Sequence, residues 1–235
     1  MKTVVRIVRY VLLAMLVAAL LWCAHTVWGG YTMYRDALSD TSLEQAVADL
    51  RETTGYTTAD ELPQRYLDAV VAIEDHRFYT HGGIDLIAIG RAALTDIATL
   101  SLAEGGSTIT QQTARNLFFT QEKRFERKVA EVFMAWDLEA TYTKAEILEL
   151  YVNSSYYGDG YTGIGQASWG YLECAPADMN DGECALMAGF LNAPNYFAAH
   201  PDAATARQLL VAQQMERYGY DPGSAAEPAS VREAS

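Results

Sequence analysis

The chain has 235 residues, half of them hydrophobic, with 17 Lys plus Arg against 30 Asp plus Glu. Lys2, Arg6 and Arg9 are the only charges before Arg35; without them 14 basic residues stand against 30 acidic ones, a net charge of −16. That balance excludes a nucleic-acid binder held by phosphate contacts, and 6 Pro among 235 residues exclude a disordered or fibrous chain, leaving one sizeable core with an appendage.

Residues 1–9 form a basic, cytoplasmic segment, and residues 10–30 read as a transmembrane helix. No charged side chain occurs from Tyr10 to Tyr34, and Val11 to Leu21 is almost purely aliphatic. About 20 such residues cross the hydrocarbon core. Trp22 and Trp28 stand toward the far end, and no small-x-small cleavage site is present, which favours an uncleaved span over a signal peptide. Bulky Trp22 before Cys23 argues against a lipoprotein. The basic flank predicts a cytoplasmic N-terminus and an extracytoplasmic remainder. Beyond the span, Cys174 and Cys184 either pair or stay free thiols.

Residues 31–62 are polar and acidic and read as a stalk with a short helix near residues 43–50. Pro63 begins the main domain, residues 63–219, with a helix to Glu74. A second helical pattern covers residues 84–100. Ser107 is a candidate N-cap for a helix through Leu117, and a charged helix follows over residues 123–140. Thr143 with Glu146 and Asn180 with Glu183 form capping boxes for two further helices. Pro201 opens a last helix that Gly219 ends. Residues 220–235 have the composition of a disordered tail. Few stretches alternate with period two, so the fold class is mainly α.

Four segments carry chemistry. In AIEDHRFYTHGGID, Glu74 and Asp75 end an apolar helix, where desolvation raises a carboxylate's pKa and makes it a usable general base; pairing of Glu74 with Arg77 is the plainer alternative. A metal set of Asp75, His76, His81 and Asp85 is weaker, because the histidines do not share a helix face. In GGSTITQQTARN, two glycines precede a helix start rich in uncharged donors, Ser107, Thr108, Gln111 and Gln112, suited to an anionic or polyhydroxylated ligand or to simple capping. Arg115, Lys123, Arg124, Arg127 and Lys128 put five of the 14 later basic residues within 14 positions. With Glu131 they form either an anion site or ordinary helix salt bridges. The fourth segment, ILELYVNSSYYGDGYTGIGQASWGYL, joins a packing face to a Gly- and Tyr-rich loop whose aromatics can stack on sugars.

In this order the segments resemble the signature of the peptidoglycan glycosyltransferases, glycosyltransferase family 51. The ED-x-x-F-x-x-H-x-G element is Glu74, Asp75, Phe78, His81 and Gly83; GGSTITQQ runs from Gly105 to Gln112; RK-x-x-E is Arg127, Lys128 and Glu131; ILELY-x-N runs from Ile147 to Asn153. The resemblance covers residues 62–217. It implies a mainly α, lysozyme-like fold split by a groove, and polymerisation of lipid II into β-1,4 glycan strands with inversion and release of undecaprenyl diphosphate. By the same resemblance Glu74 is the general base and Glu131 orders Arg115, Lys123, Arg127 and Lys128 around the diphosphate or shares a Mg²⁺ or Mn²⁺ with it. Asp75, His81, Ser107, Thr108, Gln111, Gln112 and Asn153 are the further expected substrate-binding residues. The implied partners are lipid II, the growing lipid-linked glycan, the bacterial cytoplasmic membrane, and penicillin-binding and divisome or elongasome proteins, with no nucleic acid. No Ser-x-x-Lys motif occurs, so a monofunctional enzyme is expected. The chain departs from the family at Arg115, Lys123, Gly165 and Cys174. Two rivals stand beside this reading: a lysozyme-like hydrolase or lytic transglycosylase on a related fold, and a non-catalytic membrane-anchored cell-wall scaffold of the same fold.

Overall fold

The structure is a computed structural model that describes residues 2–91, 106–120, 124–227 and 229. It is mainly α, as the sequence pattern requires, with one short hairpin among the described residues. Its first helix, α1 (Lys2–Asp40), is 39 residues long, and its apolar part, with a mean hydropathy of 2.3, fits a single membrane anchor. Next come α2 (Leu43–Arg51) and α3 (Gln64–Glu74), then a helix of which residues 86–91 are described, α4. After them follow α5 (Ile109–Phe118), α6 (Phe125–Thr141) and α7 (Lys144–Ser154). The rest of the pattern expected over residues 84–100, together with Gly105 and Lys123, lies outside the described residues.

The hairpin pairs β1 (Tyr156–Gly158) with β2 (Tyr161–Thr162) through an Asp159-Gly160 turn in which both residues have positive φ, 49° and 86°. That dipeptide is the one a two-residue hairpin loop favours. Four helices complete the body: α8 (Ile164–Leu172), α9 (Asp181–Phe190), α10 (Pro194–Ala199) and α11 (Pro201–Arg217). Helix α9 buries Gly182 and every residue from Cys184 to Phe190, so it is apolar on all sides and forms the centre on which α3 and α11 pack. Against it Tyr66 and Tyr157, both fully buried, share a hydroxyl hydrogen bond of 2.5 Å.

Three segments differ from the sequence reading. First, α1 does not end near residue 30. It continues to Asp40 and lies along α6, with Trp22 edge-on to Phe125 and the Tyr34 hydroxyl donating to Asp137 at 2.5 Å. Gly29 and Gly30 are there for close approach: a Cβ on Gly30 would stand 2.5 Å from Val129 Cβ. Second, residues 41–62 are built into the domain rather than forming a stalk. Leu43 and Val47 of α2 are buried, and Glu149 of α7 accepts from the Tyr56 hydroxyl and the Ala59 N–H. Third, residues 220–227 pack on the domain where composition suggests a tail. Arg65 donates to the Asp221 carbonyl at 2.6 Å, and Gln208 donates to the carbonyls of Ala225 and Glu227 at 2.8 and 2.6 Å. Local composition does not register such tertiary partners.

Both internal capping boxes form as the sequence suggests, at Thr143 with Glu146 and at Asn180 with Glu183. The start of α5 shifts by one residue: Thr108, not Ser107, is the N-cap, in a capping box with Gln111. Cys174 and Cys184 are separate free thiols, and burial raises the Cys184 pKa to about 12.

Gly165, one of the positions at which the sequence departs from the family that it resembles, has no space for a side chain. A Cβ there would overlap the Gly55 carbonyl oxygen in the segment that covers the start of α8. Gly165→Ala is expected to lower stability by about 1–3 kcal/mol, because backbone cannot move aside as a flexible side chain can. Thermal unfolding of the detergent-solubilised variant checks this, and an unchanged midpoint would contradict the packing.

Candidate active site

Glu74 is the last residue of α3, and the chain turns sharply after it, with Asp75 at φ −157° and ψ 74°. The turn presents Glu74 to a cleft lined also by Asp75, His76, Asp85, Ala88, Arg91, Gly106, Ser107 and Thr108. Burial drives the Glu74 pKa above the ordinary glutamate range. The Gln112 hydrogen bond and the charges of Arg207 and Arg115 oppose that rise, and Asp75 adds to it. Gln112 Nε2 donates to Glu74 Oε2 at 3.1 Å, and the Tyr151 hydroxyl donates to Gln112 Oε1 at 3.3 Å, which orients the amide. The Glu74–Arg77 pairing that the sequence left open does not occur: Arg77 Nε donates to Asp85 Oδ2 at 2.9 Å.

Asp75 and His81 form an internal tie. His81 Nε2 lies 2.9 and 3.0 Å from the two Asp75 oxygens, and Asp75 Oδ2 accepts the Ile109 N–H at 3.1 Å. The carboxylate thus stands at the N-terminus of α5, where an anion is favoured. Asp85 approaches the same group, but its Oδ1 accepts the Ile87 and Ala88 N–H groups and its Oδ2 takes Arg77. Burial would raise the Asp85 pKa, yet these donors outweigh it and hold the carboxyl low. Although Asp75, His81 and Asp85 lie within 4.8 Å of one another, protein donors already occupy their ligand atoms and Arg77 supplies the positive charge. Burial and the nearby Arg91 charge lower the His76 pKa, and its ring stacks on Tyr218 at 4.0 Å.

The second half of the site is cationic. Lys128 Nζ bridges Ser107 Oγ at 2.6 Å and Glu131 Oε2 at 2.9 Å, while Arg127 Nη1 stands 3.3 Å from Glu131 Oε1. Glu131 is 1% exposed, with no hydrogen bond to Oε1, so it draws two cations into one place. Among the described residues the Nε atoms of Arg127 and Arg115 are buried without hydrogen-bond partners. Among the described residues Glu131 is the one carboxylate of this wall, and Arg127 and Lys128 flank it.

Of the expected site residues, Glu74, Asp75, Ser107 and Thr108 line the cleft, Gln112 bonds Glu74, the Arg115 charge acts on Glu74, and Lys128, with Arg127 and Glu131, forms the cationic wall beside Ser107. Three of the expected residues, Thr108 among them, have their polar groups taken up by the fold. Thr108 and Gln111 cap α5, with the Thr108 hydroxyl donating to Gly83 O at 2.8 Å. Asn153, 2% exposed, donates to the carbonyls of Thr57 and Glu149 and accepts the Thr57 N–H. It pins the 56–59 segment to α7 and offers nothing to a ligand. Sequence reading missed Arg207, whose charge acts on Glu74 from α11. The available signal was a lone cation among the buried Ala204, Gln208, Val211 and Ala212 of that helix.

The chain matches the transglycosylase family model over residues 41–216. It is 41% identical over 163 residues to penicillin-binding protein 1F of Bacillus subtilis, a stretch that covers 68% of this chain and 23% of that protein. It is 43% identical over 165 residues to penicillin-binding protein 1A of Vibrio cholerae, covering 68% of this chain and 20% of that protein. The chain thus spans about a quarter or less of the length of these two relatives. A Cupriavidus necator protein that bears transglycosylase in its name is 38% identical over 195 residues, 80% of this chain and 84% of its own length. With a carboxylate-bearing cleft, its cationic wall and a family match over most of its length, the chain belongs to the transglycosylase family, glycosyltransferase family 51.

Proposed function

We propose that this chain is a peptidoglycan glycosyltransferase that polymerises lipid II into β-1,4-linked glycan strands. The observation that carries this reading is a desolvated carboxylate, Glu74, sharing a cleft with Ser107, whose hydroxyl is held by Lys128 of the Arg127–Lys128–Glu131 cluster. Glu74 takes the proton from the acceptor sugar's 4-hydroxyl as that oxygen bonds to the donor's anomeric carbon. The bond from that carbon to the diphosphate breaks from the opposite side, giving inversion, and undecaprenyl diphosphate leaves with the electron pair. Negative charge gathers on the leaving group, where Arg115, Arg127 and Lys128 stabilise it. A hydrolase acting on a neutral glycosidic bond has no such charge to neutralise, so the cationic wall favours the transferase.

The anchor suits this substrate, because a lipid-borne donor confines the reaction to a bilayer surface. Lys2, Arg6 and Arg9 favour a cytoplasmic N-terminus in the bacterial inner membrane, with the domain outside, beside penicillin-binding and divisome or elongasome proteins.

The test is full-length protein in detergent with labelled lipid II and divalent metal, its products resolved by length and digested with muramidase. Muramidase-sensitive ladders are the expected result. Folded protein that binds lipid II but makes no ladder would overturn the reading in favour of a non-catalytic scaffold. The rate should also fall as pH drops through the Glu74 pKa, since only the carboxylate acts as base and burial places that midpoint above the ordinary glutamate range. An initial-rate pH profile checks this, and a rate flat into the acidic range would contradict it.

A further inference from the structure

The helix that carries the cationic wall has α1 at its back. On α6 the residues that meet α1 include Phe125, Val129, Phe133 and Asp137, spaced by four. On α1 they include Trp22, Gly30 and Tyr34, and buried Thr26 completes the same spacing. The two helices run side by side in the same direction along these stripes. Arg127 and Glu131, each two residues from Val129, fall on the roughly opposite face of α6, where Glu131 holds Arg127 at 3.3 Å and Lys128 at 2.9 Å. The contact is tightest at the residues that flank the two cations in sequence. A Cβ on Gly30 would lie 2.5 Å from Val129 Cβ and 2.7 Å from the Glu126 carbonyl oxygen, so backbone meets backbone there. Gly29 differs, because its Cβ would meet only the Glu126 side chain, with Cγ at 2.9 Å, and that chain can swing aside. Nor can α1 yield freely: Tyr34, Ala37 and Leu38 pack against the core, and the Tyr34 hydroxyl donates to Asp137 Oδ2 at 2.5 Å.

We propose that Gly30 is a positioning residue for the diphosphate of the lipid-linked donor: by seating α1 directly on the α6 backbone at Glu126 and Val129, it sets how far Arg127 and Lys128 reach toward Ser107. The proposal rests on the reading of Arg127 and Lys128 as the partners of that diphosphate. A side chain at position 30 would part the helices by about 1 Å, the gap between 2.5 Å and ordinary carbon–carbon contact, and would carry both cations along with α6. Lys128 Nζ now stands 2.6 Å from Ser107 Oγ, and a displacement of about 1 Å takes that pair beyond hydrogen-bond range. The residue that anchors the wall therefore touches no substrate and lies on a different helix from every cation that it places.

The test compares Gly30→Ala with Gly29→Ala in full-length protein in detergent. Both substitutions gain the same helix propensity, and only the first meets backbone. Two measurements are made: titration calorimetry with a polyprenyl diphosphate, and hydrogen exchange of the α6 amides in the ligand-free protein. In Gly30→Ala the dissociation constant should rise about tenfold, the low end for a lost charged hydrogen bond, at unchanged stoichiometry. Exchange over residues 126–131 should quicken as well. Gly29→Ala should match the parent in both. A lower stoichiometry with an unchanged dissociation constant would mark a purely structural role and overturn the proposal. Equal losses of affinity in the two variants, or parental affinity and exchange in Gly30→Ala, would overturn it too. Faster exchange with no loss of affinity would uphold the seating of α6 on Gly30 and overturn the diphosphate reading of Arg127 and Lys128 instead. If Gly30→Ala does not fold, Tyr34→Phe carries the test, because it removes the bond to Asp137 and keeps the ring. Weaker binding at unchanged stoichiometry then supports the proposal, and parental binding overturns it.

Discussion

Glu74→Gln is expected to lower polymerisation by about 10²–10⁴-fold, the range that a positioned proton acceptor contributes, while binding of lipid II stays close to that of the parent. The substitution preserves shape: an amide oxygen at position 74 still accepts from Gln112 Nε2, which sits 3.1 Å from Glu74 Oε2. It also removes a charge that burial disfavours, so the thermal midpoint should hold or rise. Activity and stability therefore move in opposite directions, which a general unfolding effect cannot imitate. A variant that made polymer at a near-parental rate would take Glu74 out of the mechanism.

Arg127→Ala should weaken binding of a diphosphate-bearing donor analogue by about 10–150-fold, the equivalent of a lost charged hydrogen bond at about 1.5–3 kcal/mol, and should slow turnover as well. Arg127 is 14% exposed, its Nε has no hydrogen-bond partner, and its Nη1 reaches both Glu131 and the Thr120 carbonyl. Its loss also leaves Glu131 Oε1 with neither a hydrogen bond nor its nearer counter-charge. Arg127→Lys should recover only part of the affinity, because an ammonium cannot reproduce the fork. Titration calorimetry with the analogue decides: unchanged affinity in Arg127→Ala would contradict the anion-site assignment.

What the sequence disclosed of this fold was mostly local. The boxes at Thr143 and Asn180 are written within four residues, and they form as written. At the start of α5 the same rule admits two neighbours, Ser107 and Thr108. Only the Lys128 ammonium, 21 positions away, shows why the Ser107 hydroxyl is used elsewhere. Asn153 matched a motif as well as Gln112 did, yet its amide is consumed by Thr57, 96 positions distant, whereas Gln112 reaches Glu74. Motif membership alone does not separate a residue that meets substrate from one that holds the wall in place. Arg207 escaped notice for the complementary reason: its significance lies in an encounter between α3 and α11, and nothing beside it in the chain announces that encounter.

Because α1 runs without interruption from its aliphatic stretch into the crossing at Gly30 and on to Asp40, it transmits rotation as a rigid shaft does. An α-helix advances about 1.5 Å and turns about 100° per residue. One residue inserted between the aliphatic stretch and Gly29 would thus swing the apolar end about a third of a turn relative to the cleft. Four inserted residues would nearly restore the heading while displacing the domain by about 6 Å along the axis. Height and heading of the cleft are therefore coupled through one helix, and length variation upstream of Gly29 changes both at once.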